Sequence, residues 1–300
     1  MKRVRAIAAY TLAAFLLAMV QPSPSVAQDL VQDMPQAFSG RLKLTGGVNQ
    51  IEGAAGGGFT PWALIGGYGT KDQVGGAMFA TQVTLDDFTV QSFGGLIGWR
   101  NRLEISAAQQ SFDTREVGAA LGLGRGFKIT QNTMGLKIRL VGDAVLDQDR
   151  LLPQIAVGAQ FKSNDRGGLV RALGAQDSQG TDYYVSATKL FLAHSTLVNL
   201  TVRSTQANQY GILGFGGLGK GRSLESEGSI AYLPRQDLAF GFEWRTKPDN
   251  LAIAKEEAAM DLFVAYAPTK NWSVTAGYAD LGHIVTRSQT GLYVSVNTSF

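Results

Sequence analysis

A two-residue alternation of side chains marks the C-terminal residues 291–300. Leu, Val and Thr alternate there with Tyr, Ser and Asn, and the chain stops on Phe300. The same period recurs at residues 133–140, 154–162 and 238–245. It indicates β-strands whose two faces lie in different environments. The alternation alone does not separate a membrane barrel from a soluble sandwich, because strands of both have one apolar face.

The spacing of these segments predicts an all-β fold, a transmembrane antiparallel β-barrel of the outer-membrane type with about 14 strands. We expect the strands at residues 41–49, 62–70, 76–84, 88–99, 102–112, 127–141, 152–162, 181–191, 197–207, 223–233, 238–247, 258–267, 272–281 and 290–300. Single-chain bacterial barrels have an even strand number. Twelve strands is the alternative, if the glycine-rich region near residues 53–76 folds differently.

The predicted connections differ in length at the two ends of the barrel. Short turns are expected at residues 101, 193–196, 234–237 and 268–271. Longer loops are expected at residues 113–126, 163–180, 208–222 and 248–257. Short periplasmic turns and long outer loops are typical of outer-membrane barrels. Two connections break the rule: residues 85–87 are short where a loop is due, and residues 142–150 are long where a turn is due.

The N-terminus has the parts of a secretory signal peptide. Basic residues precede an uncharged apolar run over residues 6–20, and Ser25, Val26 and Ala27 supply small side chains for cleavage. The run is shorter than the roughly 20 residues that a spanning helix needs. We therefore predict a cleaved signal peptide at 1–27, a short periplasmic N-terminal segment at 28–39 and a single outer-membrane barrel at 40–300.

Composition narrows the possible partners. The signal peptide carries three of the 27 Lys and Arg residues, so the remaining 24 balance the 24 Asp and Glu residues. This balance gives no support for nucleic-acid binding. The chain contains no cysteine, which excludes disulfides and thiolate metal sites. We expect the Gram-negative outer membrane as the location, with lipid around the barrel and the insertion machinery recognising the C-terminal strand that ends on Phe300.

Several longer strings carry a resemblance to a known family. They read LTGGVNQIEGAAGGGFTPWALIGGYGT (44–70), FDTREVGAALGLGRG (112–126), GDAVLDQDRLLPQIAVGAQFK (142–162), TDYYVSATKLFLA (181–193), RTKPDNLA (245–252) and YADLGHIVTR (278–287). Together they resemble a proteobacterial family of outer-membrane β-barrel proteins that is classed as a domain of unknown function. The resemblance spans about residues 40–300. It implies an outer-membrane setting and brings no activity, ligand or site residue.

Candidate catalytic residues are few. His194 and Ser195 fall in a predicted periplasmic turn, whereas His283 begins a predicted outer loop that contains Ser288. A serine hydrolase needs its Ser and His within hydrogen-bond reach. Ser195 and His283 are expected at opposite ends of the barrel, and solvated loop positions explain His283 and Ser288 more simply. We therefore expect no enzymatic activity and no cofactor.

A metal site is also not expected. Asp147 and Asp149 lie two residues apart in the connection 142–150, and such a pair can hold Ca²⁺ when further oxygen ligands are present. No complete calcium-loop spacing surrounds them, and Asp is common in turns for its own backbone hydrogen bonds.

The inward faces of the predicted strands carry many charges. If the apolar set of each strand faces lipid, the lumen receives nine basic and four acidic residues: Arg41, Lys43, Arg102, Glu104, Lys137, Arg139, Lys162, Lys189, Arg203, Glu225, Glu227, Glu243 and Arg245. A wet lumen of this kind would conduct solutes with a mild preference for anions. Alternatively, the glutamates pair with Arg203 and Arg245 on neighbouring strands and narrow the barrel.

Two predicted outer loops are unusually apolar. One contains Val117, Leu121 and Leu123, and the other contains Ile212, Leu213 and Phe215. Exposed apolar loops are costly unless they fold into the lumen, meet a partner or bind an apolar ligand. Uptake barrels for hydrophobic compounds combine such loops with an N-terminal plug, but only residues 28–39 remain for a plug here, which is too short.

Three functions follow from these patterns. The first is a narrow channel for small solutes with a mildly cationic lumen. The second is an uptake barrel for hydrophobic compounds that are captured by the apolar loops. The third is a closed structural barrel that docks a protein of an envelope complex.

Overall fold

Twelve antiparallel strands close into one barrel in the computed structural model, which describes residues 43–46, 48–253, 255–284 and 287–300. The strands are β1 (Val74–Leu85), β2 (Thr89–Trp99), β3 (Leu103–Asp113), β4 (Lys128–Val141), β5 (Gln154–Asn164), β6 (Gln179–Phe191), β7 (Thr196–Thr205), β8 (Ser223–Arg235), β9 (Leu238–Arg245), β10 (Ala259–Tyr266), β11 (Trp272–Ile284) and β12 (Arg287–Ser299). The signal peptide, the segment 28–39 and Arg41 lie outside the described residues. The barrel class is confirmed, with the alternative strand number.

The barrel closes where β1 pairs with β12. Thr81 lies opposite Ser295 in this pair, and their hydroxyl oxygens are 2.7 Å apart. The predicted first two strands, at 41–49 and 62–70, are wrong. Their described residues lie inside the barrel, and residues 48–70 are almost all buried. A spanning strand would expose alternate side chains to lipid, so burial on every side excludes that role for this segment.

Most strands present an apolar face outwards and a more polar or smaller face inwards, whereas β1 buries Phe79, Val83 and Leu85 inside the barrel. In β10 the side chains of Met260, Leu262, Val264 and Tyr266 are exposed, and the residues between them are buried. The exposed apolar band suits contact with lipid hydrocarbon. Closure of the barrel leaves no strand edge whose backbone N–H and C=O groups would lack hydrogen bonds in lipid. The alternating apolar and polar residues of the sequence therefore correspond to side chains on the outer and inner faces of the barrel wall.

The two ends of the barrel differ as expected. The turn end carries the short connections and the C-terminus, with exposed Trp99, Tyr232, Trp272 and Phe300 at its strand ends. Such rings suit the interfacial level of a membrane. The loop end carries most of the longer connections. The outer loop expected to begin at His283 is an exception, because β11 extends to Ile284 and β12 begins at Arg287. The connections between β1 and β2 and between β4 and β5 are the two exceptions that the sequence indicates.

Two short helices, α1 (Arg115–Ala120) and α2 (Gly167–Ala172), lie in the loops. No helix in the described part of the chain is long and apolar enough to cross a membrane.

Residues 206–217, which we call the cap, turn inwards over the loop end. The cap pairs with the loop before β6 through a bridge between Phe215 and Asp177, and Phe215 is fully buried.

A cross-strand disulfide tests the closure. Cysteines at Thr81 and Ser295 would lie opposite each other in the twelve-stranded barrel, close enough for a disulfide, whose sulfurs bond at about 2.05 Å. We expect the Thr81→Cys/Ser295→Cys protein to crosslink nearly completely under mild oxidation, as seen by a mass shift of two hydrogens and resistance to alkylation. The chain has no other cysteine. The off-register pair Thr81→Cys/Val90→Cys is the control. Equal crosslinking of both pairs, or of neither, would contradict this closure.

Candidate functional site

Residues 48–68, which we call the plug, fill the inside of the barrel. The chain enters from the turn end, reverses through bridges between Asn49 and Ala55 and between Gly56 and Pro61, and returns to the turn end. There the Tyr68 backbone N–H donates to the carbonyl oxygen of Phe300 at 3.0 Å. The plug is thus a hairpin-like excursion that leads directly into β1.

Glycines let the plug fold back on itself and approach the wall. A Cβ atom on Gly56 would lie 2.1 Å from the carbonyl oxygen of Thr60 within the plug. A Cβ atom on Gly57 would lie 1.8 Å from Oε1 of Glu243 on β9. Both distances are far below van der Waals contact. Gly56 meets backbone, so only glycine fits there, whereas a side chain at position 57 would have to displace the Glu243 carboxylate. The glycines of this region therefore allow the plug backbone to approach itself and the barrel wall closely.

An ion pair between neighbouring strands holds two parts of the plug. Glu104 on β3 and Lys137 on β4 are 3.0 Å apart and fully buried. Glu104 accepts hydrogen bonds from the backbone N–H groups of Ala55, at 3.1 Å, and Gly66, at 2.8 Å. Lys137 donates to the carbonyl oxygens of Ala55, at 3.0 Å, and Leu64, at 2.9 Å. The pair therefore replaces the hydrogen bonds that this irregular backbone lacks.

Further in, Glu52 of the plug meets a belt of charges that crosses five consecutive strands. We call the set the Glu52 cluster: Glu52, Lys162 (β5), Asp182 (β6), Arg203 (β7), Glu227 (β8) and Arg245 (β9). Glu52 pairs with Lys162 and accepts a hydrogen bond from Arg245 at 2.7 Å. All six side chains are at most 3% exposed.

The wall residues of the cluster also bind one another. Asp182 lies 2.7 Å from Lys162 and 3.4 Å from Arg203. Glu227 pairs with Arg203 and lies 3.3 Å from Arg245. Asp182 and Glu227 thus engage all three cations, and Glu52 brings the third negative charge. Burial by itself would raise the pKa of the Glu52 carboxyl, but Arg245, Lys162 and Arg203 outweigh it and hold that pKa well below its usual range.

A third contact holds the plug near its middle. Glu243 on β9 accepts hydrogen bonds from the Thr60 hydroxyl, at 2.6 Å, and from the Phe59 backbone N–H, at 2.8 Å. Asp261, opposite Glu243 on β10, accepts a hydrogen bond from the Tyr293 hydroxyl at 2.7 Å. Two carboxyl groups therefore face the plug from adjacent strands, each with hydroxyl donors.

Uncharged wall residues bind the returning half of the plug. The Pro61 carbonyl oxygen accepts hydrogen bonds from Ser186, at 3.1 Å, and Thr201, at 2.9 Å. The Ala63 N–H donates to the Thr188 hydroxyl at 2.7 Å. Small hydroxyl side chains on β6 and β7 thus leave room for the plug backbone and satisfy its polar groups.

The cap closes the loop end above the Glu52 cluster. Tyr210 stacks on Arg245, with the guanidinium carbon 4.3 Å from the ring centroid, and its carbonyl oxygen is 3.3 Å from Lys162 Nζ. Gln209 donates to Glu256 at 2.6 Å, and Lys247 lies 3.1 Å from the same carboxylate. Burial lowers the pKa of Lys247 more than the charge of Glu256 raises it. Burial likewise raises the pKa of Glu256, against the opposing effect of Lys247.

Small cavities lie between the plug and the wall. Two cavities, of about 20 and 30 Å³, lie beside Phe59 and Trp62. Each can hold about one or two water molecules. The plug and the cap therefore occupy the space that a solute would use.

The structure places most of the predicted lumen residues inside the barrel. The buried ones are Glu104, Lys137, Lys162, Lys189, Arg203, Glu227, Glu243 and Arg245. Lys43, Arg139 and Glu225 are half-buried, whereas Arg102 is exposed at the turn end. Glu227 pairs with both expected arginines, but Glu225 binds Ser223 and Thr246, and Glu243 binds the plug. Of the two alternatives for these charges, an open lumen or mutual pairing, the structure shows pairing: the buried charges bind the plug and one another.

Three acidic residues escaped the sequence analysis. Glu52 was assigned to no strand, and Asp182 and Asp261 lie at the loop-end portions of β6 and β10. With them, and with Lys247 and Glu256, which the predicted lumen set also omits, the buried charges among the described residues number six basic and seven acidic: Lys137, Lys162, Lys189, Arg203, Arg245, Lys247, Glu52, Glu104, Asp182, Glu227, Glu243, Glu256 and Asp261. A carboxylate in the middle of a glycine-rich, otherwise apolar segment was the available signal.

The apolar loop residues divide into two groups. Ile212, Leu213 and Phe215 are buried in the cap, where they pack with Val170 and Ala175 of the neighbouring loop or with the barrel interior. Val117 and Leu123 are half-buried, and Leu121 is exposed.

The expectation that the chain has no plug is wrong. It considered only residues 28–39, whereas the plug is formed by residues expected to be strands.

The histidines lie at opposite ends of the barrel, as the sequence indicates. His194 is at the turn end, and His283 is at the loop end, opposite Ser288 in the β11–β12 pair. His283 Nδ1 is 2.8 Å from Glu257 Oε2. Within the described ranges, no side-chain hydrogen bond joins His283 to Ser288. The Asp147 carbonyl oxygen accepts a hydrogen bond from Lys189.

Comparisons agree with this architecture. A protein-family profile described as "Protein of unknown function (DUF3034)" matches residues 45–297. No curated protein matches the sequence. The structure of the KdgM porin is similar, with 13% identity, a TM-score of 0.50, and coverage of 75% of this chain and 99% of that one. KdgM porin in complex with disordered oligogalacturonate gives 12% identity, a TM-score of 0.50, and coverage of 75% and 99%. At this identity the likeness shows the fold.

A glycine substitution tests how the plug folds. Gly56→Ala places a methyl group against the Thr60 carbonyl and should loosen the plug without breaking the barrel. We expect a thiol reagent to label a cysteine at buried Thr60 about tenfold faster in this variant, in line with a loss of one to two kcal/mol. Gly168→Ala, in an exposed helix with open space around it, should leave the rate unchanged. Equal rates in both variants would refute the tight packing of Gly56.

Proposed function

The chain belongs to this family, and we propose that it is an outer-membrane channel for small solutes that its own plug closes in the state described. The apolar outer face and the aromatic turn end support a location in the Gram-negative outer membrane. Membrane lipid and the machinery that inserts barrels through their C-terminal strand are the partners that this location implies.

The observation that carries the proposal is the way in which the plug is held. Its backbone binds wall side chains such as Glu104, Lys137 and Thr188, and it adds no strand to the sheet. Such contacts can exchange with water or solute while the twelve-stranded ladder stays intact. A continuous strand could not leave in this way, because its removal would expose two edges.

Barrel size supports the same conclusion. Barrels of about 8 strands have an interior that side chains fill, whereas those of about 16 strands leave an aqueous channel. Twelve strands enclose a space of intermediate width. Here the plug fills much of that space, so its movement would leave a passage for small solutes.

The charge of the wall favours anions in the open state. When Glu52 leaves, the three cations Lys162, Arg203 and Arg245 face only Asp182 and Glu227 within reach. The region of the Glu52 cluster would then carry an excess positive charge, which attracts anionic solutes. The proposal includes no catalytic step and no metal or cofactor.

Capture of hydrophobic compounds receives less support. Ile212, Leu213 and Phe215 are already buried in the cap and are unavailable as a capture surface. A structural barrel that docks an envelope protein has a closed lumen as well, and it is the outcome to which a negative channel experiment would point.

A disulfide between the plug and the wall tests the channel. The hydroxyl oxygens of Thr60 and Ser229 are 2.5 Å apart, so Thr60→Cys/Ser229→Cys should crosslink on oxidation. In a planar bilayer we expect discrete current steps from the reduced protein, about tenfold fewer or none from the oxidised protein, and a reversal potential that indicates anion preference. Deletion of residues 48–68 should give steadily open channels.

The control is the Thr60→Cys single variant, which cannot crosslink and should behave alike in both redox states. Samples must show the heat-modifiable gel mobility of folded barrels. A folded plug-deleted barrel that carries no current would overturn the channel proposal and favour the docking barrel.

A further inference from the structure

Glu52 occupies a position that resembles a binding site for a free carboxylate. Its carboxylate oxygens accept hydrogen bonds from Lys162 Nζ, from the Arg245 guanidinium at 2.7 Å and from the Gln50 side-chain amide at 3.0 Å. The donors Lys162 and Arg245 come from two strands of the rigid wall, and Glu52 is 0% exposed. Fixed, buried cations are a strong carboxylate site because they are already desolvated and oriented.

The charge balance depends on the plug. Lys162, Arg203 and Arg245 are matched by Asp182, Glu227 and Glu52, and only Glu52 is on the segment that can move. If Glu52 leaves, the wall keeps one unmatched positive charge in a buried place. An unmatched buried charge is costly, so an empty cluster favours the return of Glu52 or the entry of another anion.

The cluster also lies where the two closing segments meet. The plug reaches it from the turn end, and the cap reaches it from the loop end through Tyr210, whose ring covers Arg245. A solute that passes the cap would therefore encounter Lys162 and Arg245 at the point where Glu52 is bound. Competition there would act on the plug directly.

We propose that Lys162 and Arg245, with the charge of Arg203 beside them, form a binding site for the carboxylate of an anionic solute, and that this carboxylate displaces Glu52 and releases the plug. The inference rests on the proposed channel function and adds the class of solute and the means of opening. Glu52 acts as an internal competitor: it keeps the barrel closed until a carboxylate replaces it. A ligand that binds only the released state shifts the population towards that state.

The test uses the accessibility of a single cysteine and does not depend on conductance. Thr60 is 0% exposed, so in a Thr60→Cys protein a water-soluble thiol reagent reports release of the plug. We expect sodium acetate to raise the labelling rate several-fold over sodium chloride at equal ionic strength. Adding Glu52→Gln should raise the rate in chloride about tenfold, because the plug then no longer carries the charge that holds it at Lys162 and Arg245.

A matched control removes a carboxylate elsewhere. Glu116→Gln, on the exposed helix α1 where Glu116 pairs only with the exposed Arg125, should leave both the rate and the acetate response unchanged. Equal effects of acetate and chloride would indicate simple screening and overturn the proposal. An unchanged rate in Glu52→Gln would do the same. If that variant does not fold, the acetate–chloride comparison in the Thr60→Cys protein decides the matter alone.

The two proposals fail separately. A plug-deleted barrel that is silent in the bilayer, together with acetate-dependent labelling, would leave the carboxylate site standing and remove the channel. Current through the plug-deleted barrel without any acetate effect on labelling would keep the channel and remove the carboxylate site.

Discussion

Ionised side chains of the barrel wall and the backbone of the plug satisfy each other's hydrogen bonds. The outer face of the wall must be apolar to meet lipid, so strand alternation turns the polar residues inwards. Charges such as Glu104 and Lys137 cannot remain without partners in a lumen that holds little water. The plug backbone forms no regular strand and would be equally costly to bury alone. The charged wall side chains and the plug backbone are stable inside the barrel because they form hydrogen bonds with each other.

This mutual dependence has a consequence for function. The plug is held by ion pairs and hydrogen bonds that another polar group can replace, and it lies inside a sheet that is complete without it. At Glu52 the plug contributes a charge of its own to these contacts. Closure and solute recognition would therefore use the same cations, which links the entry of an anion to the movement of the plug.

The sequence predicts the wall well and the interior poorly. Alternation identifies the strands from β1 to β12, because contact with lipid requires an apolar side chain at every second position. The terminal Phe300 and the loop lengths indicate which end of each strand is periplasmic. The segment around Gly56 and Glu52 has no such constraint. Its apolar runs look like strands, although each residue is surrounded by protein. Asp182 and Asp261 were missed for a related reason: an acid at the loop-end portion of a strand resembles a solvated loop residue until the cap and plug cover it.

Amide hydrogen exchange of the refolded protein tests most directly whether the plug lies bound in the lumen. The N–H groups of Ala55 and Gly66 donate to Glu104 inside the barrel, whereas Gly168 lies on an exposed helix. The structure predicts that Ala55 and Gly66 exchange nearly as slowly as the strand amides and far more slowly than Gly168. Exchange of Ala55 and Gly66 as fast as that of Gly168 would contradict a plug held by the wall.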